Sequence, residues 1–277
     1  VRYNGWVTTE QRYAELHAHS AFTFLDGTDE PAQMVAEAAR LGLDALAILD
    51  VDGMYSTVQT TMAARDSGLP IVYGAELTLT PDALRGIVPG TRAPGWGLAP
   101  GSDDPGIRLP VLAASLTGYA NLVGAMSERA LSAPGERNPR HSLVDLRDAS
   151  GDLLVLTGGR RGPLMRALRA GGVTHARRVL DELADTFGRD QILVEWQATR
   201  GDEDEVGDTL AGLAHASGTR LVATTGARMS TPSKQALGDI LAATRLGVSL
   251  DEAQAHLGAH RSFLRSPSEM AQLHGAH

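Results

Sequence analysis

Two histidines separated by one residue are the clearest chemical feature of the sequence. His17 and His19 lie at the end of an apolar run, and side chains two positions apart on a strand point to the same face. Two imidazoles on one face can bind a single metal ion such as zinc. Asp26 follows in the next predicted loop and Glu76 ends a later apolar run, so both carboxylates are candidates for the same cluster. Hydrogen bonding without a metal is the alternative, because so short a pattern also occurs by chance.

Short apolar runs alternate with segments of helical period along most of the chain. The predicted strands cover residues 13–17, 45–50, 71–77, 109–114, 153–157, 192–196 and 220–224. The predicted helices cover residues 30–41, 56–67, 119–131, 163–170, 174–186, 202–217 and 233–246. Apolar strands that are each followed by a helix favour parallel pairing. Seven such units predict a single α/β domain over residues 1–277 with a barrel fold, whose strand ends meet at one edge and would position the four candidate ligands.

Two segments depart from this alternation. Residues 80–108 are rich in Gly, Pro and Asp and predict one long surface loop. Residues 250–277 predict an extension with a helical turn, a short extended piece at 262–264 and a last helix at 266–273. Because the sequence begins at Val1 and not at methionine, we expect it to be a piece of a longer polypeptide.

The composition excludes several classes of function. The chain has no cysteine and a single lysine, Lys234, so thiolate ligands, disulfides and a lysine-bearing phosphate loop are excluded. Its net charge of −8 argues against autonomous binding to nucleic acid. No apolar run approaches the roughly 20 residues of a membrane span, and no signal segment opens the chain. We therefore expect a cytoplasmic protein without a membrane partner.

Several short motifs follow one another along the chain. In order, they are HAHS (17–20), LDG (25–27), DVDG (50–53), GAE (74–76), GYANL (118–122), LTG (156–158), VATTGA (222–227) and FLRS (263–266). The series resembles the PHP (polymerase and histidinol phosphatase) domain over nearly the whole chain. It is most similar to the amino-terminal PHP domain of bacterial error-prone C-family DNA polymerases of the actinobacterial type. The extension at 250–277 would then lead toward the polymerase core.

The resemblance implies a fold and a set of ligand positions. The family's domain is a distorted TIM-like (β/α)7 barrel whose strand ends hold up to three zinc or manganese ions for phosphoester hydrolysis. By this resemblance the retained ligand positions are His17, His19, Asp26 and Glu76. The positions at which the family's ligands are lost are Val51, Gly159, Thr199, Gly226 and Arg228.

These losses leave two interpretations of the surviving residues. A hydrolytic site with two or three ions needs more ligands than four side chains supply. One zinc or manganese ion bound by His17, His19 and Glu76, with water completing the shell, is the first interpretation. The second, which we prefer, is a metal-free polar cluster in which Arg228 pairs with Glu76 or Asp26.

Three functions are compatible with these observations. The leading hypothesis is a catalytically degenerate PHP domain that supports the palm and thumb domains of an error-prone DNA polymerase in DNA-damage-induced translesion synthesis. Nucleotidyl transfer would then belong to the parent protein, which would also make the contacts with DNA. The alternatives are a metal-dependent phosphoesterase or exonuclease with a reduced metal site, and a non-enzymatic adaptor for mutagenesis accessory proteins.

An arginine-rich stretch carries a weaker signal. Residues 153–180 contain six arginines and no acid. Either they form a basic patch that faces DNA or an acidic neighbour, or they lie on solvated helix faces. The glycine-rich segment at 158–162 could cradle an anion between a strand and a helix, although its spacing matches no phosphate-loop motif.

Overall fold

The computed structural model describes residues 11–80, 82–84, 106–135, 140–197, 204–253 and 262–274. The strands are β1 (Ala14–Ala18), β2 (Ala45–Ile48), β3 (Ile71–Val72), β4 (Gly74–Leu79), β5 (Ile107–Ala113), β6 (Leu153–Leu156), β7 (Ile192–Gln197) and β8 (Arg220–Thr224). The helices are α1 (Pro31–Leu41), α2 (Thr57–Ser67), α3 (Leu116–Ser132), α4 (Leu143–Arg147), α5 (Pro163–Phe187), α6 (Asp204–Ser217), α7 (Gln235–Leu246), α8 (Leu250–Ala253) and α9 (Pro267–His274).

The strands form two sheets. The first sheet has the order β1-β2-β3 and is parallel throughout. The second has the order β4-β5-β6-β7-β8, in which β5 runs antiparallel to both of its neighbours and β6, β7 and β8 are parallel. Isolated bridges between Ala18 and Ala227 and between Val51 and Glu76 connect the sheets. The mixed α/β class is confirmed and the expectation of uniformly parallel strands is wrong. The sheets are not closed in the described part of the chain, so the barrel stays a prediction.

Two predicted boundaries need correction. The predicted strand 71–77 is two strands in different sheets, because β3 pairs with β2 whereas β4 pairs with β5. Tyr73 lies between them and its carbonyl accepts from Ala113 N at 2.8 Å. The predicted loop 80–108 extends too far, since β5 already begins at Ile107. Most of the rest of that loop lies outside the described residues.

Helix ends follow the local sequence closely. Helix α1 has Pro31 in its first turn and ends at Gly42, whose φ of 73° is the left-handed conformation that glycine adopts readily. The predicted helices 163–170 and 174–186 are the two arms of α5, which is kinked at Gly171 and Gly172. Helix α4 was not predicted. It is a single turn capped by Ser142, whose side chain accepts from Asp145 N.

The core packs the two sheets against each other. One cluster of buried side chains draws on both sheets, since Ala47 comes from the first and Leu112, Leu156 and Leu193 come from the second. The largest cluster fills the space between the second sheet and its covering helices, and a separate one lies under α1. None of the helices described here has the length and apolar character needed to cross a membrane.

Candidate metal centre and its arginine neighbours

The strand ends converge on the segment that carries the two histidines. His17 lies in β1, and His19 follows its last residue. His19 N donates to Ala227 O and Leu49 N donates to Ala18 O, each at 2.7 Å. The end of β1 is therefore held between the residues that follow β2 and β8. Glu76 on β4 and Glu195 on β7 also bring their carboxylates to His17, near the end of β1.

His17 is buried between two carboxylates. Its Nδ1 lies 2.7 Å from Glu195 Oε1, and its Nε2 lies 3.3 Å from Glu76 Oε1 without hydrogen-bond alignment. Burial lowers the pKa of His17, but the two carboxylates, with Glu195 the stronger, outweigh burial and raise it to about 10. In the metal-free protein His17 is therefore an imidazolium at neutral pH. A metal ion would replace the proton on Nε2, and Glu195 would keep the ring oriented through Nδ1.

His19 is also buried, but it is neutral. Thr23 donates its hydroxyl proton to Asp50 Oδ1 at 2.8 Å, so its oxygen can accept from His19 Nδ1 at 3.4 Å. That leaves a lone pair on Nε2, which has no hydrogen-bond partner among the described residues. Burial lowers the pKa of His19 to about 3, and the positive charges of Arg228 and His17 act in the same direction. His19 is thus already in the form that binds metal.

Glu76 completes a group that fits one metal ion. Burial alone would raise the pKa of Glu76, but its contact with His17 and the nearby His19 and Arg108 hold that pKa well below its usual range. Ligand atoms of His17, His19 and Glu76 all lie within 4.8 Å of one another. The 3.3 Å between His17 Nε2 and Glu76 Oε1 is roughly the edge of a tetrahedron with metal–ligand bonds of about 2.0–2.1 Å.

Asp26 lies among arginines. Its Oδ2 lies 3.0 Å from Arg228 Nε and 3.3 Å from Arg161 Nη1, and its Oδ1 lies 2.5 Å from Arg245 Nη1. Burial would raise the pKa of Asp26, but the three guanidiniums outweigh it and hold the pKa well below the usual range. Of the two partners predicted for Arg228, Glu76 or Asp26, the structure shows the ion pair with Asp26. We call these four side chains the Asp26 cluster.

Gln197 on β7 fills the space at two of the positions where the resemblance implies lost ligands. A Cβ atom on Gly159 would lie 1.8 Å from Oε1 of Gln197, and one on Gly226 would lie 2.6 Å from its Nε2. Gly226 also has a φ of 57°, which disfavours any other residue. Val51 N donates to the Thr23 hydroxyl at 3.3 Å. Thr199 lies outside the described residues.

Sequence reasoning missed three polar residues of the site. Glu195 and Gln197 on β7 contact His17, and Gln197 Nε2 donates to Glu195 Oε1 at 2.8 Å. Glu15 is fully buried and accepts from the backbone N of His17 at 2.8 Å and of Thr225 at 2.9 Å. The sequence signal that could have identified Glu15 and Glu195 is an acid inside an apolar strand, because a buried carboxylate is costly unless it has partners.

The arginine-rich stretch divides between interior and surface. Arg166 is buried and donates to Gly106 O at 2.8 Å, while Arg161 turns to Asp26. The remaining members are exposed, namely Arg160, Arg169, Arg177 and Arg178. Neither a single basic patch nor uniformly solvated helix faces describes this arrangement. In the glycine-rich segment, Gly162 N donates to Gly159 O at 2.8 Å and closes a turn that sets the position of Arg161.

Comparison with known proteins identifies relatives along almost the whole chain. A sequence model of the PHP domain matches residues 15–199. The error-prone DNA polymerase of Mycolicibacterium paratuberculosis is 42% identical over 269 residues, which cover 94% of this chain and 23% of that protein. That of Mycobacterium tuberculosis H37Rv is 40% identical over 273 residues, which cover 96% of this chain and 23% of that protein. The chain therefore spans less than a quarter of the length of these relatives.

Among solved structures, the fold is similar to that of a proposed metal-dependent phosphoesterase from Bifidobacterium adolescentis. The TM-score is 0.46 with 18% sequence identity, and the match covers 78% of this chain and 88% of that one.

Proposed function

The chain belongs to the PHP domain family, and from that premise we propose that it is the PHP domain of an error-prone DNA polymerase, with a structural role beside the polymerase core. Relatives of that name match 94–96% of the chain, which supports the assignment. Nucleotidyl transfer, translesion synthesis after DNA damage and a cytoplasmic location would be properties of the parent protein. The two bridges between the sheets support the distorted barrel expected of the family.

The ion pair between Arg228 and Asp26 carries the proposal of a degenerate site. In the resemblance both residues stand at ligand positions, and here they bind each other at 3.0 Å. A guanidinium is always charged and has no lone pair for a metal, so it repels a second ion. Gln197 fills the space at Gly159 and Gly226, two further lost positions. Hydrolysis with two or three ions needs that space for ligands.

A full-length parent polymerase tests the structural role. We expect deletion of this domain to reduce soluble yield and primer extension together, because the neighbouring domains lose their support. The metal-ligand variant His19→Ala, made in the intact parent, should leave primer extension unchanged. A deleted form that stays soluble and extends primers at the full rate, on damaged and undamaged templates, would show the structural role to be wrong.

A phosphoesterase with a single ion is the second candidate. The buried Nε2 atoms of His17 and His19, which have no hydrogen-bond partner among the described residues, favour it. Zinc or manganese bound there would polarise a phosphate oxygen or a water molecule. Glu195 would orient His17, Thr23 would orient His19, and Glu76 would supply the charge. Elemental analysis and turnover of an aryl phosphate test this candidate, since metal with turnover supports it and metal without turnover rules against it.

A further inference from the structure

Helix α2 turns its larger apolar side chains away from the protein. It buries Thr60 and Ala64, whereas Val58 is 69% exposed and Met62 is 62% exposed. A surface helix of a globular domain normally packs its larger apolar side chains against the core and leaves polar ones outside. Helix α2 has the opposite arrangement, so the packing of this chain does not account for its outer face.

Tyr55 extends this outer face into the turn before α2. The intervening Ser56 has backbone angles in the helical region, so Tyr55, Val58 and Met62, spaced by three and four residues, lie on one side. Tyr55 is 62% exposed. Residues 53–64 include no charged side chain, although 21% of the residues in the chain are charged. The exposed surface of this segment is therefore apolar and uncharged.

Two phenylalanines in the loop after β1 lie next to this segment. Phe22 is 39% exposed and Phe24 is 82% exposed. Thr23, which stands between them, donates to Asp50 Oδ1 at 2.8 Å and accepts from Val51 N at 3.3 Å. These bonds hold the loop beside the residues that lead from β2 to α2, so the two rings are positioned before any partner binds. We call the following five side chains the Phe24 face: Phe22, Phe24, Tyr55, Val58 and Met62.

The composition of the Phe24 face suits a protein partner. Aromatic residues and methionine are enriched in the cores of protein–protein interfaces, and charged residues are depleted there. A nucleic acid would need cationic side chains for its phosphates, and the Phe24 face contains none. Of the charged residues that flank the α2 segment, Asp52 is already bound to Thr78 and Arg108. An apolar protein surface is therefore the chemistry that fits.

We propose that the polymerase core of the parent protein docks on the Phe24 face, with α2 as the contact helix. This inference rests on the proposed structural role, which places the chain beside that core. The chain covers only 23% of each of two error-prone polymerase relatives, so most of such a protein lies outside this domain. Interfaces between domains of one chain bury about 600–1,500 Å², and a contact of that size needs several large side chains on one face.

Hydroxyl-radical footprinting of the isolated chain and of the intact parent polymerase tests the proposal. Phe24, Tyr55 and Met62 should react in the isolated chain and lose most of that reactivity in the parent, because a docked core excludes water from them. Leu131 on α3 is as exposed as Phe24, at 82%, and should react equally in both proteins. Unchanged reactivity of the Phe24 face, or equal protection of Leu131, would overturn the assignment.

A matched pair of valine substitutions tests the same face by function. Val58 and Val144 are each the second residue of a helix and each 69% exposed. Val58→Glu and Val144→Glu should both leave the urea midpoint of the isolated chain unchanged. In the parent, Val58→Glu should lower primer extension by about tenfold or more, because its charge is left unpaired in an apolar contact, and Val144→Glu should not. Equal primer extension by the two variants would overturn the docking face.

The outcomes separate this proposal from the structural role on which it rests. If deletion of the domain reduces primer extension while Val58→Glu extends primers at the full rate, the structural role stands and the Phe24 face is wrong. Full extension after deletion would refute the role itself. Sedimentation of the isolated chain covers the remaining occupant, since a dimer in which Phe24 and Met62 are protected would assign the face to a second copy and overturn the proposal.

Discussion

Two polar regions lie side by side where β1 ends, and they favour ligands of opposite charge. The metal-capable group of His17, His19 and Glu76 is dominated by acceptors, with Glu195 behind it. The Asp26 cluster is dominated by donors, with three guanidiniums on one carboxylate. A cation suits the first region and an anion suits the second. If the chain carries the degenerate PHP site proposed above, one half of a multi-metal site keeps its ligands while protein cations occupy the other.

The two regions also differ in how their charges are held. Glu76 and Glu195 are compensated by the imidazolium of His17, whose Nε2 proton a metal ion can replace. Asp26 is compensated by arginines, which stay charged at neutral pH. The first region can therefore exchange its cation, whereas the second cannot.

Removal of the Asp26 charge should have the largest effect on stability. Asp26→Asn leaves three guanidiniums together without a carboxylate, and we expect a loss of about 3–5 kcal/mol in the free energy of unfolding at pH 7. The folded pKa of Asp26 is held below its unfolded value of about 3.9. Its stabilising contribution is therefore present above about pH 4 and is lost as the pH falls through the folded pKa.

Urea denaturation of both chains at pH 7 and pH 3 measures this effect. The difference in unfolding free energy should shrink at pH 3, because the wild-type chain then loses part of its own stabilisation. Glu128→Gln is a matched control, since it also neutralises an acid but at an exposed position of helix α3. A difference that is the same at both pH values would show that the arginines do not depend on the Asp26 charge.

Zinc binding should distinguish the metal-capable group from the Asp26 cluster, because only the first supplies ligands for the ion. Because the three side chains fit one ion, we favour the single-ion interpretation over the metal-free cluster, and we expect the wild-type chain to bind one zinc ion through His17, His19 and Glu76 and His19→Ala to bind none. At a free zinc concentration about 100 times Kd the ion would stabilise the wild-type chain by about 2.7 kcal/mol. Arg161→Gln should retain the ion, since Arg161 is not part of the metal-capable group. Equilibrium dialysis with elemental analysis measures the stoichiometry, and zinc retained by folded His19→Ala would contradict the assignment.

The sequence predicts the features that depend on neighbouring residues better than those that depend on contacts between distant parts of the chain. The pairing of His17 and His19 and the end of α1 at Gly42 follow from local spacing and capping, and both are observed. The antiparallel direction of β5 could not be predicted, because its residues show an apolar strand and not its partners. The predicted loop of Thr80 to Arg108 is too long because the pairing of Ile107 and Arg108 with β4 is a contact between distant residues.

The polar network of the site was predictable only in part. The resemblance places Arg228, Glu76 and Asp26 at ligand positions and predicts that Arg228 pairs with either carboxylate, of which the pairing with Asp26 is observed. Arg161 and Arg245 join Asp26 from distant parts of the chain, and their local sequence gives no indication of it. Glu195 stands in an apolar strand, where its burial suggests a partner but does not identify His17 as that partner.

Restoring a ligand position should be costly while Gln197 remains. Gly159→Cys places a side chain where the flexible amide end of Gln197 lies, and that end gives up its bond to Glu195 when it moves, so we expect a loss of about 1 kcal/mol. The double variant Gly159→Cys with Gln197→Ala should be no less stable than Gln197→Ala alone. Gly212→Cys is the matched control, because a Cβ at Gly212 meets nothing within 4 Å. Equal unfolding free energies for the two glycine variants would show that Gln197 does not block the position.

The smallest effect is expected from Arg161→Gln. Arg161 makes one contact with Asp26, at 3.3 Å, and its side chain is 26% exposed. Loss of that contact is offset in part because Arg228 and Arg245 are then relieved of a like charge, as the lowered pKa of Arg161 indicates. We therefore expect a loss of less than about 1 kcal/mol, against the much larger cost of Asp26→Asn. Urea denaturation compares the two variants directly. A loss from Arg161→Gln as large as that from Asp26→Asn would mean that Asp26 depends on all three arginines, and the excess of positive charge in this region would then be needed for folding.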